Sequence, residues 1–256
     1  MSVASPLLTD DEPSPVALDR ADGASPFVIL CDHAGNRLPR ALGTLDLSQD
    51  ELGRHIAWDI GAGAVAARLG ALLDAPVVQQ RYSRLVIDCN RAPGHPTSIA
   101  ERSEATAIPG NVGLDPADRE ARWLAIFAPY HDAIDALLDR RRRIGQETIV
   151  IAQHSFTPVF YGEARPWQAG MLYDRDPRLG SALGDLLRGE GFVVGDNEPY
   201  RLTATSDYTI PFHAERRGLP YVEIELRQDL VADELGQAEW AARLAWLLPA
   251  AAAALR

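Results

Sequence analysis

Lysine is missing altogether: all 25 basic residues among the 256 are arginine. Schiff-base catalysis through a lysine amine and nucleotide binding by a lysine-bearing phosphate loop are therefore excluded. The wholesale swap to arginine reads as genome composition, not as function. Cysteine is nearly absent, with Cys31 and Cys89 alone. With no export signal in view, reduced thiols in a cytoplasm are the expectation. A thiolate metal ligand is one reading of the pair, and buried free cysteine is the favoured one. No apolar run reaches the roughly 18 residues of a membrane span. A formal net charge of −11 gives nucleic acid nothing to bind to. A GxSxG nucleophile elbow and an HExxH zinc helix are both lacking as well.

What is present is an alternation of short apolar runs with helical patterns. Pro26 to Cys31, Val77 to Gln80, Leu85 to Ile87, Thr148 to Ala152, Phe192 to Val194 and Tyr221 to Leu226 have strand length and composition. Ser48 and Glu51 form a capping box, and the helix it opens is expected to run to Leu73. A second helix is expected from Asp115 to Arg143, kinked or split at Pro129. Leu179 to Leu187, Ser206 to Arg217 and the alanine-rich tail from Asp233 complete the set. This order predicts an α/β fold: three layers, α/β/α, around a mixed, mostly parallel sheet. Residues 1–25, with three prolines and no basic start or apolar stretch, read as a flexible N-terminal arm and not as a signal peptide. Residues 26–256 read as one catalytic domain.

Ligands in such sheets sit beyond the carboxyl ends of the strands. His33, Asn90, His154 and Glu225 all fall at or just past strand ends. A His-Ser pair closing one buried strand and a Glu-Leu-Arg closing another are costly to bury without a purpose. Neutral imidazole is the commonest zinc ligand, so two histidines arriving from different strands point to a metal-assisted hydrolase. Arg84 and the run Asp88-Cys89-Asn90-Arg91 offer either a carboxylate clamp or structural salt bridges. His55, His131 and His95 read as structural or solvated, and His213 as a possible substrate contact. Gly61-Ala62-Gly63-Ala64-Val65-Ala66 matches a dinucleotide fingerprint as a string. It lies inside a helical pattern, however, where close helix packing is the better reading.

The segments HAGNRLP, AWDIGA, DCNR, QHSFTP and VGDNEPY resemble the N-formylglutamate amidohydrolase family, over nearly all of the chain from about Val28 to Leu230. The order His33, Asn90-Arg91, His154-Ser155, Glu225-Leu226-Arg227 is similar to that of zinc carboxypeptidases and the aspartoacylase/succinylglutamate desuccinylase group. The resemblance implies a phosphorylase/hydrolase-like fold and hydrolysis of N-formyl-L-glutamate to formate and glutamate, a terminal step of histidine breakdown. It implies zinc bound by His33 and His154, Glu225 as general base, Arg84 at the carbonyl or a second carboxylate, and Asn90 with Arg91 on a substrate carboxylate. Asn36, Arg227 and His213 complete the expected substrate contacts. Asn36 stands where carboxypeptidases carry a glutamate ligand, so Asp59 of AWDIGA is the candidate third ligand, with Asn36 or water as alternatives. The expected partner is a small N-acyl amino acid, with no nucleic acid and no membrane. The rival readings are a zinc hydrolase of other N-acyl amino acids or small peptides, and a non-catalytic carboxylate binder that has lost its metal.

Overall fold

The computed structural model describes residues 6–255. Its centre is a seven-stranded sheet. In chain order the strands and helices are β1 (Val16–Asp19), β2 (Phe27–Cys31), α1 (Gln49–Leu52), α2 (Ala62–Leu73), β3 (Val77–Gln80), β4 (Arg102–Ser103), β5 (Thr106–Ala107), α3 (Pro116–Arg122), α4 (Ala128–Arg143), β6 (Ile149–Phe156), β7 (Val159–Phe160), β8 (Glu163–Ala164), β9 (Ala169–Leu172), α5 (Arg178–Gly189), β10 (Val194–Asp196), β11 (Tyr221–Arg227) and α6 (Glu234–Ala252). The sheet runs β1-β3-β2-β6-β11-β9-β10; β4 with β5 and β7 with β8 form two small hairpins. Neighbours from β3 to β11 are parallel, while β1 against β3 and β9 against β11 are antiparallel. The expected mixed, mostly parallel sheet is therefore what the chain forms.

The central strands are apolar on both faces, as a sheet covered twice requires. Period-two alternation divides their side chains between two cores. Phe27, Ile29, Ile149, Ile151, Val222 and Ile224 pack beneath α2, α5 and α6 through Val65, Leu69, Leu183 and Leu244. Val28, Leu30, Val150, Ala152 and Tyr221 pack against Tyr130, Ile134 and Leu138 of α4. Continuing the alternation places His154, Glu223 and Glu225 on the α4 side of the sheet. Among the described residues no helix is long and apolar enough to cross a membrane.

Four local expectations are corrected. Residues before 26 were expected to form an arm, yet Val16–Asp19 makes the antiparallel edge strand β1 on β3, and Tyr82 Oη donates to the Pro13 carbonyl at 2.9 Å. Residues 1–5 of that segment lie outside the described residues. The capping box at Ser48 and Glu51 forms both of its bonds, but the helix stops at Leu52, and α2 begins separately. Gly61 divides the two, with φ +81° and a Cβ position 2.1 Å from the Val231 carbonyl oxygen, so only glycine fits. Leu85–Ile87 is a turn, and Ser206–Arg217 holds a π turn (Ile210–Ala214) in place of an α-helix. Around Pro129 the expected break is a π turn, Trp123–Phe127, between α3 and α4.

Candidate active site

The parallel strands β2, β6 and β11 end side by side, and the site is built on those ends. His33 lies two residues beyond β2, His154 lies within β6, and Glu225 pairs with His154 in the register of β11 on β6. Asp59 comes from the turn before α2, whose approach is close because Gly63 packs on Ala34, with its Cβ position 2.9 Å from the alanine methyl. Here the small-residue string serves helix packing. Two bonds hold that turn against the strand ends. Asp59 donates its backbone N–H to the His33 carbonyl at 3.0 Å, and Ser155 Oγ donates to the Ile60 carbonyl at 2.8 Å.

Asp59 Oδ2 is where the two imidazoles converge. It lies 2.8 Å from His154 Nδ1 and 3.4 Å from His33 Nδ1. The far nitrogen of each ring meets a different carboxylate, with His33 Nε2 at 2.7 Å from Asp88 Oδ1 and His154 Nε2 at 3.3 Å from Asp32 Oδ2. Asp88 also accepts from Arg84 Nη2 at 2.7 Å and Nε at 3.2 Å, and from the Asn90 backbone at 2.8 Å. Asp32 accepts from Thr209 Oγ1 at 2.8 Å. His33, His154, Asp32, Asp59, Asp88, Glu223 and Glu225 are each at most 5% exposed.

Such burial opposes every charge, so the charges must balance locally. Burial acts to raise Asp32, but His154 outweighs it and holds the carboxyl down at about 2. Asp59 and Asp88 are likewise lowered against burial, chiefly by His33 and by Arg84 respectively. Both histidines are raised despite burial: His33 by Asp88 and Asp59, His154 by Glu223, Asp32 and Asp59. Burial pushes Glu225 up to about 8 and raises Glu223 strongly. The three aspartates are thus held low and the two rings high by one another and by Arg84, while burial pushes both glutamates up.

This balance bears directly on a metal. His33, Asp59 and His154 each present a donor atom, all within 4.8 Å of one another. The carboxylates on the far nitrogens are what orients metal-binding histidines and sets their tautomer. Two imidazoles and one carboxylate are a donor set that zinc accepts, with a position left open. The residues therefore fit a single divalent metal. Cys31 and Cys89 are buried, and burial raises both thiols, so neither offers a thiolate.

A cavity of about 520 Å³ opens over this cluster. Its floor carries His33, Asp59, His154, Glu223 and Glu225, and one oxygen, Oε2, of each glutamate has no hydrogen-bond partner. Arg84 and Arg91 are also among its lining residues. Asn90 also lines it, but its side chain is committed: Nδ2 donates to Asp207 at 2.9 Å, and Oδ1 accepts from the Tyr208 and Thr209 backbones at 3.0 Å each. Arg91 uses Nη1 on the Asn90 and Ser206 carbonyls, and its Nε and Nη2 make no hydrogen bond among the described residues.

Three expected substrate contacts lie elsewhere. Asn36 is exposed and donates to the Leu52 carbonyl at 3.1 Å, because Gly35 packs on the Arg81 carbonyl and turns the loop away. Arg227, at the end of β11, is drawn to Asp229 at 2.8 Å and 3.1 Å. His213 is buried under α4, between His131 at 2.8 Å and Asp135 at 2.9 Å. Sequence reading gave no role to Asp32, and for Asp88 offered only a structural salt bridge such as the one it forms with Arg84, not its contact with His33. Their signal was an acid beside His33 and an acid opening the DCNR run, each at a strand end where solvated loop acids are equally common.

The sequence model of the N-formylglutamate amidohydrolase family matches residues 25–232. The crystal structure of a gene product from Agrobacterium tumefaciens is 39% identical, covers 97% of this chain and 99% of its own, and superposes with a TM-score of 0.94. N-formylglutamate amidohydrolase from Ralstonia eutropha JMP134 is 20% identical over 95% of this chain and 99% of its own, with a TM-score of 0.68, and so shares the fold. No curated protein matches.

Proposed function

We propose that this chain, which belongs to the N-formylglutamate amidohydrolase family, hydrolyses N-formyl-L-glutamate to formate and L-glutamate with a zinc ion held by His33, His154 and Asp59. The observation that carries this reading is the convergence of both Nδ1 atoms on Asp59 Oδ2, with a second carboxylate behind each ring. Held there, zinc would supply Lewis acidity to the carbonyl and would bring the pKa of a water nucleophile to about 7.

The chain's own residues do the rest. Glu225 stands beside His154 on the cavity lining, with Oε2 buried and without a hydrogen-bond partner, and is the candidate to accept a proton from the attacking water and return it to the leaving nitrogen. Its raised carboxyl suits a proton carrier working near neutrality. Arg84, clamped by Asp88 and by Asp59 at 3.5 Å, keeps a fixed positive charge near the carbonyl oxygen as that oxygen gains charge. The free edge of Arg91 is available for the α-carboxylate. Asn90 is a positioning residue that holds the 207–209 segment, and through it Arg91.

The test is a deformylation assay of protein purified without chelator, run on N-formyl-, N-acetyl- and N-succinyl-glutamate. The reading expects formate release in proportion to bound zinc and a preference for the formyl substrate. Excluding one acetyl methyl provides only about 1–3 kcal/mol, so the preference is expected at roughly 10–200-fold. Cleavage of the acetyl or succinyl compound in preference would make the chain a hydrolase of other N-acyl amino acids. Glu225→Gln should keep its metal and lose about 10²–10⁴-fold in turnover; near-normal turnover would remove Glu225 from the mechanism.

A further inference from the structure

Helix α6 is apolar on both sides. Trp240, Leu244, Leu247 and Leu248 face the sheet and are buried. On the opposite stripe Leu235, Ala238, Ala242, Trp246, Pro249 and Ala250 recur every three or four residues, and all are exposed. Trp246 is 77% exposed, more than any other large apolar side chain among the described residues, and Leu235 is 70% exposed. Glu239 is the only charge on that stripe. A surface helix ordinarily turns a polar face to water, and one that is apolar all round is ordinarily covered.

The neighbouring helices separate into two kinds. On this side of the sheet α6 packs against both α2 and α5. The outer face of α5 is that of a solvated helix, with Arg178 paired to Asp176 and Arg188 to Asp185, each at 2.8 Å. Along α2, in contrast, Ala67, Ala71 and Leu72 are exposed, and Arg68 is the only charged residue in the helix. The outer faces of α2 and α6 thus carry one cation and one anion, Arg68 and Glu239, neither in an ion pair among the described residues.

Charge and size both point to the occupant. Two chains of net charge −11 repel each other, so a contact between them must lie where charge is scarce and balanced. Two copies of the α2–α6 face sum to zero. A membrane-bound helix would flank its apolar stripe with basic residues, but the one arginine of α6, Arg243, is bound to Glu190 at 2.9 Å. Helices of 12 and 19 residues are about 18 Å and 28 Å long, and side by side they cover roughly 450 Å². Two such faces bury about 900 Å², beyond most chance contacts and at the small, reversible end of specific interfaces.

We propose that the exposed faces of α2 and α6 form a two-fold contact between copies of this chain. The small Ala238 and Ala242 let the two α6 helices approach closely, and Leu235 and Trp246 are the apolar anchors. This surface lies on the far side of the sheet from His154 and Glu225, so the contact leaves the cavity open.

Sedimentation equilibrium over about 1–200 µM, where an interface of this size associates, tests the contact. The wild type should show a monomer–dimer equilibrium. Ala242→Glu and Trp246→Glu should each raise its dissociation constant by about 30-fold or more, with the far-UV circular dichroism unchanged. Ser181→Glu, on the charged outer face of α5, should leave it as it is. Should either α6 variant lose its helical signal, Leu72→Glu on α2 repeats the test from the other helix. A wild type that stays monomeric throughout, or a dimer that the folded variants do not weaken, overturns the proposal. A monomer that binds anionic phosphatidylserine vesicles through Trp246 also overturns it and gives the face to a membrane instead.

Discussion

His33 and His154 stand with ring centroids 5.1 Å apart, and so do His131 and His213. All four rings are buried. The first pair meets edge to face at 68°, and the second stacks at 12°. In the second pair the nitrogens are spent on each other and on the fold: His131 Nδ1 lies 2.8 Å from His213 Nε2, His131 Nε2 donates to the Cys89 carbonyl at 2.9 Å, and His213 Nδ1 meets Asp135 at 2.9 Å. Burial and the second ring push His131 down to about 3, which keeps it neutral. In the first pair no nitrogen faces the other ring. Three aspartates surround the two imidazoles, and one of them faces both. What marks the first pair as a candidate metal site is the anions that converge on it, not ring proximity.

Removing one ring from each pair breaks this comparison most sharply. His154→Ala should lose bound zinc and turnover together, read by elemental analysis and formate release. A fully metallated, active variant would refute its ligand role. Acidity gives the next largest effect. Both site rings hold their protons above the ordinary imidazole value, and those protons occupy the nitrogens an ion needs. Zinc affinity should therefore weaken as pH falls, by up to about 100-fold per unit where both rings are protonated. A competition titration with a chelator from pH 5 to 8 checks the sign, and a flat profile would contradict it. Asp88→Asn leaves the ligands in place but removes the carboxylate behind His33, so affinity should fall by about 10–100-fold. The smallest effect belongs to the second pair. His213→Ala should keep full zinc content while losing about 1–3 kcal/mol of stability, seen as a Tm lowered by roughly 2–4 °C per kcal/mol.

The sheet was legible because β2, β6 and β11 are buried on both faces and therefore read as unbroken apolar runs. The two site histidines were legible for a related reason, since imidazole at the end of such a run has no solvent to satisfy it. Asp59 was reached through its resemblance to a family segment, because its closeness to His154 depends on the Gly61 turn and the Gly63–Ala34 contact, which pattern alone does not show. Asp32 and Asp88 stayed hidden because an acid in a loop carries no sign of which imidazole it will face. Asn36, Arg227 and His213 have the right chemistry, but local partners, Leu52, Asp229 and Asp135, hold them outside the cavity. The edge strand β1 was obscured by the prolines and acids that precede it.

X-ray absorption at the zinc edge, on protein purified without chelator, tests the central assignment most directly. The account predicts one zinc per chain with nitrogen and oxygen neighbours at about 2.0–2.2 Å, two of them imidazole. A sulfur shell near 2.3 Å, which would bring in Cys31 or Cys89, or a protein that takes up no zinc, would contradict it.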